Sequence, residues 1–181
     1  VMILEPVTPF RPREYAVKVA DQAWEQRAAA ALRRRVFCQE QGLFQDHDRD
    51  ALDQHATTLV ALSYLAGGPD EVVGTVRIHS DRPGIWYGSR LAVAPGYRRD
   101  AHLGSALIRL AVGSAHARGC NAFFATVQAA NQALFESLHW RTLRSLDLHG
   151  RPHVLMRADL AHYPPVHGGT LPLVAVGRRA S

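Results

Sequence analysis

Residues 91–105 combine the residue types that bind a phosphate or pyrophosphate group. Their pattern predicts an apolar strand that stops at Pro95, a loop rich in arginine, and a helix that begins at about Leu103. The first amides of a helix have no partner within the helix and lie at the positive end of its dipole. A loop that leads into a helix start therefore suits an anion. Arg98 and Arg99 add positive side-chain charge beside this helix start.

The spacing within this loop distinguishes three kinds of phosphate site. A P-loop needs a Gly-Lys-Ser/Thr ending, and residues 91–105 contain no lysine. A dinucleotide-binding fingerprint needs GxGxxG after the strand, and that glycine spacing is absent. The pattern that remains is Arg99-x-x-His102-x-Gly104. His102 can supply its own amide to an anion if its φ and ψ angles are ordinary. The alternative is a plain strand-to-helix connection with solvated arginines.

The elements that must position this loop are predicted from hydrophobic periodicity. A strand at 15–20 precedes a helix that Asp21 can cap and Gly42 can end. The apolar stripe of this helix leaves Arg33 and Arg34 outside it. Three strands in a meander then deliver the chain to the loop, at 57–65, 71–79 and 85–93.

Three motifs resemble those of the GCN5-related N-acetyltransferase (GNAT) superfamily. The loop is similar to its RxxGxG/A acyl-CoA loop, with His102 where the family has glycine. Residues 35–42 (RVFCQEQG) and the aspartates after them are similar to a segment of some bacterial GNAT proteins and of acyl-homoserine-lactone synthases. Residues 131–140 (NQALFESLHW) resemble the family's N…A..LYxKLGF segment, with Phe135 and His139 in place of its tyrosine and glycine. The chain looks closest to a bacterial subfamily described as nitrogen-starvation-associated N-acetyltransferases.

The resemblance covers most of the chain and implies an α/β (α+β) fold. The family's architecture has three layers, with a mixed central sheet of about six to seven strands that splays at the acyl-CoA site and is flanked by helices. The expected organisation is an N-terminal arm at 1–14, a single GNAT-like acyltransferase domain at 15–160, and a Pro/Gly-rich C-terminal tail at 161–181. The tail is expected to be poorly ordered or docked on a partner.

The resemblance also implies direct transfer of an acetyl group from acetyl-CoA, a co-substrate, to a primary amine of a small metabolite. The backbone at Leu91 and Val93 would bind the pantetheine arm and polarise the thioester carbonyl. The residues expected to contact acetyl-CoA are Leu91, Ala92, Val93, Arg98, Arg99, His102, Leu103, Gly104, Ser105, Asn131 and Phe135.

Catalysis needs a base for the amine and a proton for the departing CoA. An ammonium with a pKa near about 10 is a poor nucleophile at neutral pH, and Glu40 is the candidate base. The Asp46, Asp48 and Asp53 group would border the acceptor site with it, unless these acids are paired with arginines or only shape the loop. Because Phe135 replaces the family's tyrosine, three possibilities stay open for the acid. The thiolate leaves unassisted, another group such as Ser137, His139, Tyr87 or Cys120 substitutes, or acyl-CoA is bound without turnover.

Composition and charge limit the classes of partner that the protein is expected to bind. The chain has 181 residues, a formal net charge of +5 and a pI near 9.8, but its basic residues are dispersed. This pattern argues against nucleic acid and is explained by a polyanionic cofactor. The two cysteines, Cys38 and Cys120, are too far apart in sequence for a zinc motif, and no metal is expected.

No apolar run approaches the ~20 residues that span a bilayer, and no signal peptide is recognised. A cytoplasmic location without a membrane partner is therefore expected, and a homodimer is left open. The rival interpretation is a non-catalytic acyl-CoA-binding sensor or assembly module whose tail docks on a partner.

Overall fold

The structure is a computed structural model that describes residues 14–99 and 102–174. Its strands are β1 Glu14–Val19, β2 Thr57–Leu65, β3 Gly68–Arg82, β4 Ile85–Val93, β5 Ala122–Gln128, β6 Trp140–Leu148, β7 Arg151–Ala158 and β8 Thr170–Val174. Its main helices are α1 Ala23–Arg33, which continues as a π-helical segment Arg34–Glu40, then α2 Leu103–Ala117 and α3 Gln132–Ser137. Within these ranges the strands form one mixed sheet in the order β6-β7-β5-β4-β3-β2-β1-β8. The predicted mixed sheet flanked by helices is confirmed, with eight strands where about six to seven are expected.

Alternate residues of β2 distinguish the two faces of the sheet. Leu59 and Ala61 belong to the core cluster that contains the apolar face of α2. Val60 and Leu62 belong to a second cluster, which contains Leu32 of α1. Because successive side chains of a strand point to opposite faces, α1 and α2 cover opposite sides of the sheet. An opening between two strands therefore connects the α1 side with the α2 side.

Strands β4 and β5 pair in parallel only over their first residues and then separate. Their pairing ends at Gly88 and Ala125. Past that point β4 continues to pair with β3 as far as Val93, and β5 continues to pair with β7 as far as Gln128. The register of β4 with β3 shifts next to Arg90, whose φ is 55°. Such a bulge bends a strand, and the sheet opens into a V between β4 and β5.

The first helix differs from its sequence prediction at its start and in the burial of Arg33, whereas Gly42, with a φ of 62°, follows its π-helical end as predicted. The cap is supplied by Glu25, whose carboxylate accepts the amides of Asp21 and Gln22 at 3.0 and 3.1 Å, whereas the sequence predicts Asp21. Arg33 is only 5% exposed, although it lies outside the apolar stripe. It is buried because the loop after the helix folds back and provides two aspartates as partners. A buried arginine of this kind leaves no apolar signal in the sequence.

The sequence analysis assigns residues 161–181 to a tail, whereas residues up to 174 pack on the domain. Tyr163 is 2% exposed, and its hydroxyl accepts the indole N–H of Trp140 at 2.9 Å. The amide of Val166 donates to the carbonyl of Gly113 at 3.0 Å, which fixes the segment on α2. The chain then adds β8 to β1, antiparallel. Residues 1–13 of the predicted arm and 175–181 of the predicted tail lie outside the described residues.

Candidate active site

A cavity of about 390 Å³ occupies the V between β4 and β5. Ile108 and Val112 line it from α2, and Phe37 and Leu43 line it from the π-helical segment and the loop after it. Because these elements lie on opposite faces of the sheet, the cavity passes through the split. Two ligands that approach from opposite faces can therefore meet inside it.

The edge of β4 that faces the V carries unpaired backbone donors. The amide of Ala94 donates to the carbonyl of Val73 on β3 at 2.8 Å. Because amides along a strand alternate in direction, the amide of Val93 points away from β3, into the V. Leu91, two residues earlier and next to the bulge at Arg90, lines the cavity. Ala92, between them, is buried in the cluster on the α1 side.

The start of α2 presents three further backbone donors. The amide of Ala106 bonds to the carbonyl of His102 at 3.0 Å. The amides of Leu103, Gly104 and Ser105 precede it and have no partner within the helix. Leu103 buries its side chain in the core, whereas Gly104 and Ser105 are partly exposed. The start of α2 is therefore a site for an anion held by backbone amides.

His102 adopts the backbone conformation that the family's glycine takes without strain. Its φ of 50° and ψ of 41° lie in the left-handed region, so the ordinary angles that the sequence analysis requires of it are absent. Its side chain is exposed and makes no capping hydrogen bond. The histidine therefore changes the side chain of the loop and leaves the glycine-type path of the backbone intact.

The two arginines of the loop have different surroundings. The guanidinium of Arg98 donates to both carboxylate oxygens of Glu40, at 2.7 Å each, and its Nε donates to the carbonyl of Val93 at 3.0 Å. The hydrogen bond from Arg98 holds the pKa of Glu40 below its usual range. Arg99 is exposed and makes no hydrogen bond or ion pair with the described residues. Arg99 is thus the arginine that is available to a phosphate.

The predicted site residues in and just before α3 lie partly inside and partly outside the cavity lining. Asn131 and Phe135 line the cavity, and the ring of Phe135 packs edge-on against Trp140 with centroids 5.0 Å apart. Ser137 is exposed at the end of α3, and its hydroxyl donates to the carbonyl of Leu134 at 2.6 Å. Ser137 and Glu40 are not among the described residues that line the cavity.

An ion-pair network forms the α1 side of the cavity wall. Arg77 is 2% exposed and lies 2.6 Å from Asp50 and 3.0 Å from Asp53. The hydrogen bond from Arg77 lowers the pKa of Asp50. The six members of the network are Arg33, Arg77, Arg90, Asp48, Asp50 and Asp53. Their formal charges cancel, so Asp48 and Asp53 are engaged by arginines and offer no surplus negative charge to an amine.

Tyr87 lines the cavity from β4, next to His79 of β3, which is not among the predicted site residues. The ring of His79, opposite it on β3, stacks on Tyr87 with centroids 5.7 Å apart and planes 17° apart. Arg77 and His79 alternate with the buried Val76 and Ile78. That alternation of polar and apolar residues on an otherwise buried strand is the signal that could have identified His79.

The mouth on the α1 side is formed by residues far apart in sequence. The ring of Phe44 lies 4.7 Å below the guanidinium carbon of Arg90 and packs edge-on against His149 at 5.2 Å. These residues line the cavity together with His153. No local sequence pattern connects them, because the contact joins the loop after α1, the bulge of β4 and the β6–β7 turn.

The sequence and structure resemble those of known acyltransferases. Residues 20–140 match the model of the acetyltransferase (GNAT) family. A Lactobacillus plantarum protein provisionally assigned as an N-acetyltransferase superposes with a TM-score of 0.70 and 23% identity, over 80% of this chain and 97% of that one. Escherichia coli ElaA gives 0.64 and 22%, over 81% and 99%. FeeM, an N-acyl amino acid synthase from uncultured soil microbes, gives 0.65 and 14%, over 84% and 94%. No curated protein matches the sequence significantly.

The family match covers most of the region that builds the site. It extends from the start of α1 to the first residue of β6 and includes the β4 edge, the anion loop and the α3 segment. Among the described residues, no helix is long and apolar enough to cross a membrane, and no group of three or more potential metal ligands occurs. The chain belongs to the acetyltransferase (GNAT) family.

Proposed function

We propose that this protein transfers the acetyl group of acetyl-CoA directly to the primary amine of a small metabolite. One observation carries the proposal: a cavity passes through the sheet where β4 and β5 separate, beside the amide of Val93 that points into this split. The α2 amides and Arg99 would hold the pyrophosphate. The amides of Leu91 and Val93 would bind the pantetheine arm and stabilise the oxyanion that forms on the thioester carbonyl. Asn131 would contact the same arm.

The acceptor would enter from the α1 side of the sheet. The wall there consists of the charge-balanced network and of apolar side chains such as Phe37, Leu43 and Leu52. The two arginines among the described residues that line the cavity, Arg77 and Arg90, are already paired with aspartates, and desolvating a carboxylate of the acceptor without a partner is costly. The geometry therefore favours an amine on a compact, largely apolar body. Because of the sequence motifs around Glu40 and Ser89, we also propose that the protein belongs to the nitrogen-starvation-associated subfamily.

The departing thiolate would leave with little help from the protein. Phe135 has no proton to donate, and the predicted substitute Ser137 lies outside the cavity lining. Burial raises the pKa of Cys120 to about 11, and its buried thiol is likewise outside the lining. His139 also lies outside the lining, so Tyr87 is the remaining candidate acid among the predicted residues. A CoA thiol with a pKa near about 8.5 is a fair leaving group without one.

A non-catalytic acyl-CoA sensor is the second candidate function. It is favoured by the phenylalanine at position 135 and by the pairing of Glu40 with Arg98, which occupies the predicted base. The sensor predicts that acetyl-CoA binds and that no amine releases CoA. The enzyme predicts both binding and release.

Calorimetry followed by a CoA-release assay separates these functions. Acetyl-CoA and CoA are titrated into the wild type, Arg99→Ala and the control Arg34→Ala, which removes an exposed arginine from the π-helical segment. A charged hydrogen bond of about 1.5–3 kcal/mol predicts roughly a tenfold or greater loss of affinity in Arg99→Ala and none in the control. Phenethylamine and phenylalanine then compare an apolar amine with its carboxylated counterpart. CoA release with phenethylamine supports the proposal, and binding without release from any amine supports the sensor.

A further inference from the structure

His79 carries a buried ring nitrogen that has no partner. Its Nδ1 is buried from solvent and makes no hydrogen bond with the described residues, although the ring lines the cavity. Leaving a polar atom buried and unpaired costs about 1–3 kcal/mol. Nε2, the other ring nitrogen, is not among the buried unpaired atoms and makes no hydrogen bond with the described residues, so it is the ring nitrogen that a molecule in the cavity can reach.

The position of His79 places this nitrogen in the acceptor half of the cavity. Ile78, its neighbour on β3, points into the core on the α2 side, so His79 points to the α1 side by alternation. The ring stacks on Tyr87, which lies one residue before the last pair of β4 with β5. His79 therefore lies beside the point at which the sheet opens and the two ligands would meet.

We propose that His79 is the general base that takes a proton from the acceptor ammonium, an inference that rests on the proposed acetyltransferase function. Nε2 accepts one proton from the ammonium, and the freed amine nitrogen attacks the thioester carbonyl carbon. The C–N bond forms as the C–S bond breaks, and a second proton of the nitrogen passes to the departing sulfur. The imidazolium returns its proton to solvent. The balance is one ammonium and one thioester giving one amide, one CoA thiol and one proton.

The electrostatic surroundings keep the base in its neutral form. Burial is the largest cause that lowers the pKa of His79, and the positive charge of Arg77 lowers it further. A neutral imidazole at pH 7 has a lone pair on the nitrogen that does not carry the proton. The titratable and charged groups that face His79 are Arg77 and Asp81 on β3, Tyr87 on β4, and Asp50 and His55 on the segment before β2. The two aspartates act in the opposite direction and do not outweigh burial and Arg77.

The test compares two acceptors of similar size with wild type, His79→Gln and the control His47→Gln. Benzylamine is protonated at neutral pH and needs a base, whereas benzoyl hydrazide is already neutral and does not. Loss of a general base predicts that kcat/KM of His79→Gln falls by about 10²–10⁴ with benzylamine and far less with the hydrazide. The acidic limb of the wild-type pH profile with benzylamine, below about pH 6.5, moves in the variant toward the pKa of the ammonium, about 10, because only the free amine then reacts. His47 is exposed on the loop after α1, and its variant keeps both rates.

The outcomes separate this inference from the function on which it rests. Equal losses with both acceptors, at unchanged acetyl-CoA affinity, would mean that His79 only shapes the cavity, and the general-base assignment would be wrong. An acidic limb that stays below about pH 6.5 in His79→Gln would also overturn the general-base assignment. If the wild type releases no CoA with any acceptor while acetyl-CoA binds, the transferase function and the base assignment both fall.

Discussion

Replacing His102 by glycine and by alanine tests whether the altered loop keeps a glycine-type backbone. His102 has a φ of 50° and an exposed side chain that makes no capping bond. Any residue with a Cβ pays about 1–2 kcal/mol in the left-handed region. Glycine avoids this cost and loses about 0.5–1 kcal/mol through the greater freedom of its unfolded chain. His102→Gly should therefore be more stable than His102→Ala by about 0.5–1 kcal/mol.

The matched position is Arg109, an exposed residue inside α2. There alanine should be more stable than glycine by about 1 kcal/mol, so the order of the two variants reverses between the sites. Urea unfolding monitored by circular dichroism measures both pairs, and 1 kcal/mol corresponds to about 2–4 °C in Tm at this size. Acetyl-CoA affinity should survive in His102→Gly, because backbone amides hold the anion. Greater stability of alanine at position 102 would refute the reasoning.

Three further predictions concern the packing around the site. Arg33→Met leaves the buried network with three carboxylates and two guanidiniums, although Asp48 keeps Arg90 at 3.0 Å. This uncompensated charge should lower the free energy of unfolding by about 3–5 kcal/mol, whereas Arg34→Met, at the exposed next residue, should stay within about 0.5 kcal/mol; urea unfolding compares them. Burial alone would raise the pKa of Asp53, but its hydrogen bond to Arg33 moves it well below the usual range. The stability that Asp53 contributes is therefore present above about pH 4 and is lost as the pH falls further. In Asp53→Asn the free energy of unfolding should depend less on pH on the acid side; an unchanged dependence on pH contradicts this. A Cβ at Gly113 would lie 2.6 Å from the side chain of Val166, in the segment before β8, so Gly113→Ala should destabilise the protein by about 1–3 kcal/mol. Gly96→Ala has open space around its Cβ and should not destabilise it. Equal midpoints of the two variants in thermal melts would contradict the contact.

Elements whose signal is local could be predicted from the sequence. The meander of β2, β3 and β4, the start of α2 at Leu103 and the order of strands and helices follow from periodicity, and the family resemblance supplied the architecture. The loop motif was recognised despite His102, because the surrounding spacing is kept. What periodicity cannot show is where charged residues pair across elements. Arg33 is buried only because the loop after α1 returns to it.

The parts of the site that depend on long-range contacts were missed. The role proposed for His79 depends on the face that β3 turns to the cavity and on the split of β4 from β5, neither of which has a local signature. The segment after β7 shows the same limit, because its prolines and glycines indicate a tail. Tyr163 nevertheless anchors it through a hydrogen bond to Trp140. A single buried aromatic residue outweighs the composition of that segment.

The most direct test of the central claim is amide hydrogen exchange measured by NMR with two ligands. The claim is that the β4 edge binds the acyl-pantetheine arm and the start of α2 binds the pyrophosphate. Acetyl-CoA should therefore protect the amides of Leu91 and Val93 and those of Leu103, Gly104 and Ser105. Acetylpantetheine, which lacks the pyrophosphate, should protect only the β4 amides. If acetyl-CoA binds but the exchange rates of both groups of amides stay unchanged, the cofactor binds elsewhere and the account is contradicted.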